Sequence, residues 1–295
     1  SKHKKRSRRF VNITHIAKYL LATKCRYKVL YGGRGSGKSY AVADALIILA
    51  LKKKITVLCA RELQNSIRDS VYTLLVTRIN TFDIEDLFNI TRDEIICEHT
   101  NSKFIFKGVY QNVESIKSIP NLTHLWIEEA ATISVASWRI LKPTIRESDS
   151  EIWITFNPNS ERDIIYKEFV SSNNESYEAL VLNINYYDNP FFSEVLELER
   201  KRDKQNLSIE DYNHIWLGHC KKASDAQILK DKFTIETFEP DYSFATPFFG
   251  CDFGFSQDPF AIIKSYVKDN VLYVEKEFFQ ARLELDATEK AVKLT

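Results

Sequence analysis

"YKVLYGGRGSGKSYAVADALIILAL", residues 27–51, decides the architecture. Tyr27 to Tyr31 is short and rich in β-formers, whereas Ser39 to Leu51 is apolar with helical character. Between them Gly32, Gly37, Lys38 and Ser39 fill the pattern G-x-x-x-x-G-K-[ST]. Glycines let backbone N–H groups turn inward around a β-phosphate, and the helix start adds its dipole. Lys38 has the reach for β- and γ-phosphates, and Ser39 supplies a hydroxyl for Mg²⁺. The run Gly32, Gly33, Arg34, Gly35, Ser36, Gly37, Lys38, Ser39 and Tyr40 is therefore read as a nucleotide-binding loop, with ATP and Mg²⁺ as its ligands.

A phosphate loop serves kinases, GTPases and motors alike, so a second acidic strand has to discriminate. "NLTHLWIEEA", residues 121–130, supplies it: Leu125, Trp126 and Ile127 end a buried strand, and Glu128 and Glu129 follow. Two adjacent carboxylates at a strand end point to different places and permit two jobs. Glu128 is expected to hold the Mg²⁺ shell, and Glu129 to polarise an attacking water. The NKxD motif of a GTPase is absent. "SEIWITFNPNS", residues 150–160, gives a third strand broken at Asn157–Pro158, with a Thr or Asn at its tip placed to sense a γ-phosphate.

The intervening sequence alternates. "ITVLCA" (55–60) is continuously apolar, as in a parallel strand buried on both faces. Leu63, Ile67, Val71, Leu74 and Leu75 have helical spacing, and residues 93–109 read as a hairpin across His99–Ser102. Helices are expected near Ser134–Ile145 and Ile164–Val170, with a strand near Ala179–Ile184. Alternation of this length predicts an α/β fold of the P-loop NTPase (ASCE) type, doubly wound.

Hydrophobic residues make up 44% and charged residues 27%, which excludes a disordered or membrane-embedded chain. The longest apolar run, Ala41 to Leu51, is interrupted by Asp44 and is too short to cross a bilayer, and the basic start leads into no apolar signal segment. A cytoplasmic setting without membrane contact is expected. Five scattered cysteines without a CxxC pair read as reduced thiols, and His214, His219 and Cys220 lack the spacing of a zinc site. Six of the 41 Lys and Arg fall within the first ten residues, leaving a net negative body and a tail suited to phosphate backbone or to solvent.

Residues 246–295 change character. Phe248–Asp252, Ala261–Val267 and Val271–Phe279 read as an antiparallel meander, followed by a helix from Leu283 to Leu294. Three such strands leading into a helix are how an RNase H-like fold begins. The tripeptide Asp252-Phe253-Gly254 does not indicate a protein kinase, because no HRD-x-x-x-x-N loop precedes it and the glycine loop is of the wrong kind. The division is thus residues 1–23 as basic tail and first helix, 24–222 as ATPase domain, 223–245 as linker and 246–295 as the second domain.

Together "GGRGSGKS", "VLCARELQNSIRDSV", "LWIEEA", "PTIRESDSEIWITFNP", "NYYDNPFF" and "HIWLG" resemble, in order, the large terminase subunit of tailed bacteriophages, with the PBSX-type branch the nearest in pattern. The resemblance runs from about Lys24 through Asp258. It implies an ATP-driven motor that pushes double-stranded DNA into a capsid, joined to a nuclease. Carried over motif by motif, Lys38 and Ser39 bind ATP and Mg²⁺, and Glu128 and Glu129 stand where the family usually has Asp-Glu. Thr155 and Asn157 match the motif that couples hydrolysis to movement. Arg34 matches an arginine that stabilises transition-state charge in cis; a trans-acting arginine has no clear counterpart, with Lys117 in that general region. Asp252, with Asp258 as an outer candidate and Glu275 and Glu277 as helpers, corresponds to a two-metal nuclease site using Mg²⁺ or Mn²⁺. Because the family takes its other acids from later elements, the resemblance implies a nuclease domain incomplete in this chain. It also implies a small terminase subunit, a portal or procapsid and a ring of identical chains as partners. Two other readings remain: a helicase-like DNA translocase without nuclease, and a prophage remnant that only binds ATP.

Overall fold

The computed structural model describes residues 12–62, 67–110, 116–171, 178–221, 234–243, 246–254, 259–281 and 283–294. The basic tail, Leu63 and Asp258 lie outside the described residues. The chain divides into two compact units, Ser1–Ile228 and Leu229–Thr295.

The first unit is built on one eight-stranded sheet. Its strands are β1 (Tyr27–Tyr31), β2 (Thr56–Arg61), β3 (Phe88–Ile90), β4 (Glu94–Cys97), β5 (Ser102–Gly108), β6 (His124–Glu128), β7 (Glu151–Phe156) and β8 (Ala179–Asn183), in the order β3-β4-β5-β2-β6-β7-β1-β8. In that order the six from β5 to β8 pair in parallel, and β4 and β3 extend the edge antiparallel. The expected hairpin is β4–β5; the third strand β3 was not legible, because "FNI" is too short to show a period. One strand, β7, lies between the phosphate-loop strand β1 and the acidic strand β6.

The unbroken apolar strands are explained by two cores. Alternate side chains of a strand face opposite ways. Leu30, Val57, Cys59, Trp126 and Trp153 join α1 (His15–Ala22), α2 (Lys38–Lys52) and α3 (Thr73–Thr81) through Leu20, Leu46, Ile47, Leu75 and Ile79. Val29, Leu58, Leu125, Ile127, Ile152 and Ile154 join α4 (Val135–Thr144) and α5 (Ile164–Tyr166) through Trp138, Leu141 and Ile165. Trp126, Trp138 and Trp153 are fully buried, and each such ring contributes about 4–6 kcal/mol of gross transfer free energy at ~25 cal/mol per Å². Side-chain caps start the helices: Ser134 Oγ accepts from Ser137 N at 3.1 Å, and Thr14 Oγ1 from Ala17 N at 3.2 Å.

Register is fixed from within the core. Lys28 on β1 is 2% exposed and pairs with Glu151 Oε2 on β7 at 2.7 Å. Trp153 Nε1 donates to the same oxygen at 2.7 Å, and the Lys28 ammonium lies 4.5 Å from the Trp153 ring centroid. A one-residue slip between β1 and β7 would bury that ammonium without its carboxylate, which is strongly unfavourable.

Two expected helices depart from plain α geometry. Arg68–Tyr72 forms a π-helical stretch before α3, and Lys167–Ser171 does so after α5. Beyond β8, α6 (Glu194–Asn206) and α7 (Ile209–Leu217) complete the unit.

The second unit holds a three-stranded antiparallel sheet in the order β11-β10-β9, formed by β9 (Phe248–Asp252), β10 (Phe260–Lys268) and β11 (Val271–Gln280). A short α8 (Thr288–Leu294) follows a 3₁₀ turn at Leu285–Ala287, a later start than Leu283. All five cysteines are free. Among the described residues no helix is long and apolar enough to cross a membrane.

Candidate functional site

Parallel strands bring their carboxyl ends to one edge, and the sequence motifs collect there. Tyr31, which leads into the phosphate loop, pairs with Phe156 at the end of β7, and Thr155 pairs with Glu128 at the end of β6. Asn157 follows Phe156 and is exposed. Residues named from separate stretches of sequence therefore share one rim.

The loop is built by its backbone. Gly37 caps α2 at φ 76°, ψ 10°, a left-handed conformation that a β-carbon disfavours. Gly33 needs its missing side chain for another reason: a β-carbon there would stand 2.1 Å from the Trp216 carbonyl oxygen. Lys38 folds back into this loop. Its Nζ donates to Gly32 O at 3.0 Å, Gly33 O at 2.9 Å and Ser36 Oγ at 2.8 Å. Burial pushes its pKa down to about 7, against the pull of the Glu128 carboxylate. The lysine is thus held in the loop by acceptors that a phosphate group would replace.

Ser39 Oγ and Glu128 Oε1 face each other at 3.3 Å. A hydroxyl and a carboxylate oxygen so close form the hard-oxygen donor pair that suits Mg²⁺, and these two residues would hold it. Burial raises the pKa of Glu128, and the Arg61 guanidinium opposes that rise. Arg61, at the end of β2, donates from Nε to Glu128 Oε2 at 2.5 Å and also pairs with Glu129 Oε1. Arg61 is 7% exposed, so its contact with Glu128 is sheltered from water, whereas its contact with Glu129 faces solvent.

Glu129 itself is exposed and has φ 55°, ψ 44°. Left-handed backbone at a glutamate costs about 1–3 kcal/mol and persists only where the surroundings enforce it. Here Thr132 N and Thr132 Oγ1 both donate to Glu129 O, at 3.2 and 3.0 Å. The left-handed backbone ends the strand at Glu129, and both neighbouring carboxylates still reach the Arg61 guanidinium, Glu128 through Nε and Glu129 through Nη2.

The other named residues fare differently. Thr155 is buried and its Oγ1 accepts from Trp126 Nε1 at 3.1 Å, so its hydroxyl is engaged in holding β6 against β7. Arg34 is exposed, and its backbone N–H donates to Ile215 O at 2.8 Å. Lys117 is exposed. Tyr40 is exposed and lines a cavity of about 300 Å³ beside the loop, with Thr14, Ile16, Asp44, Arg78 and Phe191 among its walls. Asp44 and Arg78 pair there at 2.6 Å.

Sequence reasoning missed Arg61. A charge ending the apolar run "ITVLCA" was the available signal, but only the sheet order puts β2 next to β6.

In the second unit Asp252 is exposed at the end of β9. Pairing places it opposite Ala261, which in turn faces Phe279, so Glu277 shares its face but stands two strands away, roughly 10 Å across the sheet. Glu275 is instead engaged by Lys264 at 3.2 Å and by the Tyr242 hydroxyl. Among the described residues no group of three or more His, Cys, Asp or Glu is placed to hold a metal, the His214–Cys220 cluster included.

The chain is similar to known proteins in sequence and in fold. A curated relative, the PBSX phage terminase large subunit of Bacillus subtilis strain 168, is 25% identical over 307 residues, covering 95% of this chain and 70% of its own length. The large terminase subunit of Bacillus phage SPP1 is 25% identical over 282 residues, covering 90% of this chain and 66% of its own length. The fold is similar to that of a large terminase from a thermophilic bacteriophage, solved in complex with ADP: the TM-score is 0.60 at 14% identity, over 96% of this chain and 74% of that one. Residues 24–219 match the family model described as "Phage terminase large subunit". That match spans well over half of the 295 residues, and the chain belongs to the phage terminase large subunit family.

Proposed function

We propose that the first unit is the ATP-hydrolysing motor that drives double-stranded phage DNA into a capsid. One observation carries the reading: Lys38, Ser39, Glu128 and Glu129 meet at one sheet edge, with Arg61 bridging the two acids. Lys38 and the loop amides of residues 35–39 would take the phosphates, and the cavity walled by Tyr40 and Arg78 is large enough for part of the nucleoside. Ser39 and Glu128 would hold Mg²⁺, which would supply charge neutralisation at the phosphates. Glu129, whose carboxylate is exposed and paired with Arg61, would orient the attacking water. Asn157, exposed just after β7, would sense the γ-phosphate, and Arg34, exposed in the loop, would stabilise developing charge. The relatives' names support the packaging role.

Double-stranded DNA, a small terminase subunit, a portal or procapsid and a ring of identical chains in the host cytoplasm are the partners and setting of that role. The second unit is proposed to begin an RNase H-like nuclease domain, residues 246–295, with Asp252 as a metal ligand. The deciding experiment is ATP hydrolysis by the protein with and without double-stranded DNA, comparing wild type with Glu129→Gln and Lys38→Ala. Turnover indifferent to both substitutions would sink the motor reading.

Two further results are expected. Phosphates favour the charged form of Lys38, whose pKa is near 7 without them. Nucleotide binding should therefore take up about one proton at pH values between 8 and 9 and weaken as pH rises above 7. Calorimetric titration in two buffers of different ionisation enthalpy measures it, and buffer-independent enthalpies would contradict it. Arg61→Ala removes the cation that holds the Glu128 pKa down against burial. Its ATPase pH profile should shift its acid limb to higher pH, because Glu128 must then lose its proton unaided.

A further inference from the structure

The first half of the phosphate loop is held by residues far away in sequence. Gly33 N–H donates to Asn185 Oδ1 at 2.8 Å, and Asn185 is only 2% exposed. The rest of that carboxamide is engaged as well: Nδ2 donates to Asn183 Oδ1 at 2.6 Å and to the Tyr187 hydroxyl at 3.2 Å. The Asn185 backbone N–H donates to Asp188 Oδ2 at 2.9 Å, closing the turn that holds it. Four residues on, Asn189 Nδ2 donates to Gly35 O at 2.7 Å, while its Oδ1 accepts from Phe191 N at 2.9 Å.

Peptide planarity gives these contacts a consequence. In a trans peptide the C=O and the following N–H point in opposite directions. Asn189, by fixing the Gly35 carbonyl, therefore turns the Ser36 N–H the other way, into the loop. Asn185, by fixing the Gly33 N–H, turns the Gly32 carbonyl toward Lys38 Nζ, which it meets at 3.0 Å.

We propose that Asn185 and Asn189 are positioning residues of the nucleotide site, which fix the Gly32–Gly33 and Gly35–Ser36 peptide planes and so preset the loop for a polyphosphate. This rests on the nucleotide-binding reading above. Both asparagines lie in "NYYDNP", whose turn chemistry folds them over the loop. Neither touches the phosphates themselves; each acts through a peptide plane.

The test measures binding of a fluorescent ATP analogue and of ADP to the protein, with melting temperature alongside. Wild type, Asn185→Ala, Asn189→Ala and Lys38→Ala are compared. Loss of one such hydrogen bond should weaken both nucleotides at least about fivefold in Asn189→Ala. KM for ATP should rise by more than kcat falls. A merely structural asparagine would lower the melting temperature and leave the affinity of the folded protein unchanged. That outcome in Asn189→Ala, with Lys38→Ala having lost binding, overturns the proposal even if Asn185→Ala fails to fold. Wild type that binds neither nucleotide overturns the nucleotide reading and this one with it.

Discussion

Glu129→Gln is expected to bind ATP about as well as wild type and to hydrolyse it about 10²–10⁴-fold more slowly. The change is isosteric and keeps the backbone conformation at φ 55°, so the loop and Lys38 are untouched. What is lost is the ability to accept a proton from water, or to orient water by charge. The Arg61 pair changes as well, because a carboxamide accepts only weakly from a guanidinium that also holds Glu128. Since Glu129 is exposed, that pair contributes little to stability, and the melting temperature should stay near that of wild type. Single-turnover hydrolysis alongside nucleotide binding separates the steps. A variant that binds ATP and turns it over at the wild-type rate would remove Glu129 from the chemistry and leave Glu128 to do both jobs.

Lys38→Ala should fail earlier, at binding. The ammonium is folded into the loop by three acceptors, and charge-assisted bonds of the kind it would make to phosphate contribute about 1.5–3 kcal/mol each, or roughly ten- to a hundredfold in affinity. Steady-state ATPase should fall at least about a hundredfold once lost positioning of the γ-phosphate is added. Folding is expected to survive, because the truncation removes a buried cation whose own desolvation is unfavourable as it frees Gly32 O, Gly33 O and Ser36 Oγ. The informative contrast is with Glu129→Gln: one variant loses affinity, the other turnover. Equal defects in both would point to a collapsed site rather than to two distinct roles.

The glycine-rich turn was legible because its backbone, charge and spacing are set within eight consecutive residues. The acidic strand was legible through its apolar lead-in, which burial on both sheet faces demands. Thr155 shows the limit of such reading. Its place at the strand tip suggested a sensor, yet its hydroxyl is engaged by Trp126, a partner that no spacing rule identifies. Glu275 likewise turned out to be engaged by Lys264, because a bulge between Lys264 and Ser265 shifts the register on that strand.

Local sequence by itself determined the strand–turn–helix at residues 27–52 and the doubly wound α/β core, and it brought Lys38, Ser39, Glu128 and Glu129 forward as the proposed chemical set. These follow from period, turn chemistry and residue type, all of which act over a few bonds. Only the tertiary structure decided that Arg61 ties the two acids together and that Asn185 and Asn189 brace the loop. Those contacts join residues 67 to 154 positions apart. They exist because strand order and two turns bring the residues within hydrogen-bond reach, a pairing that composition and periodicity do not encode.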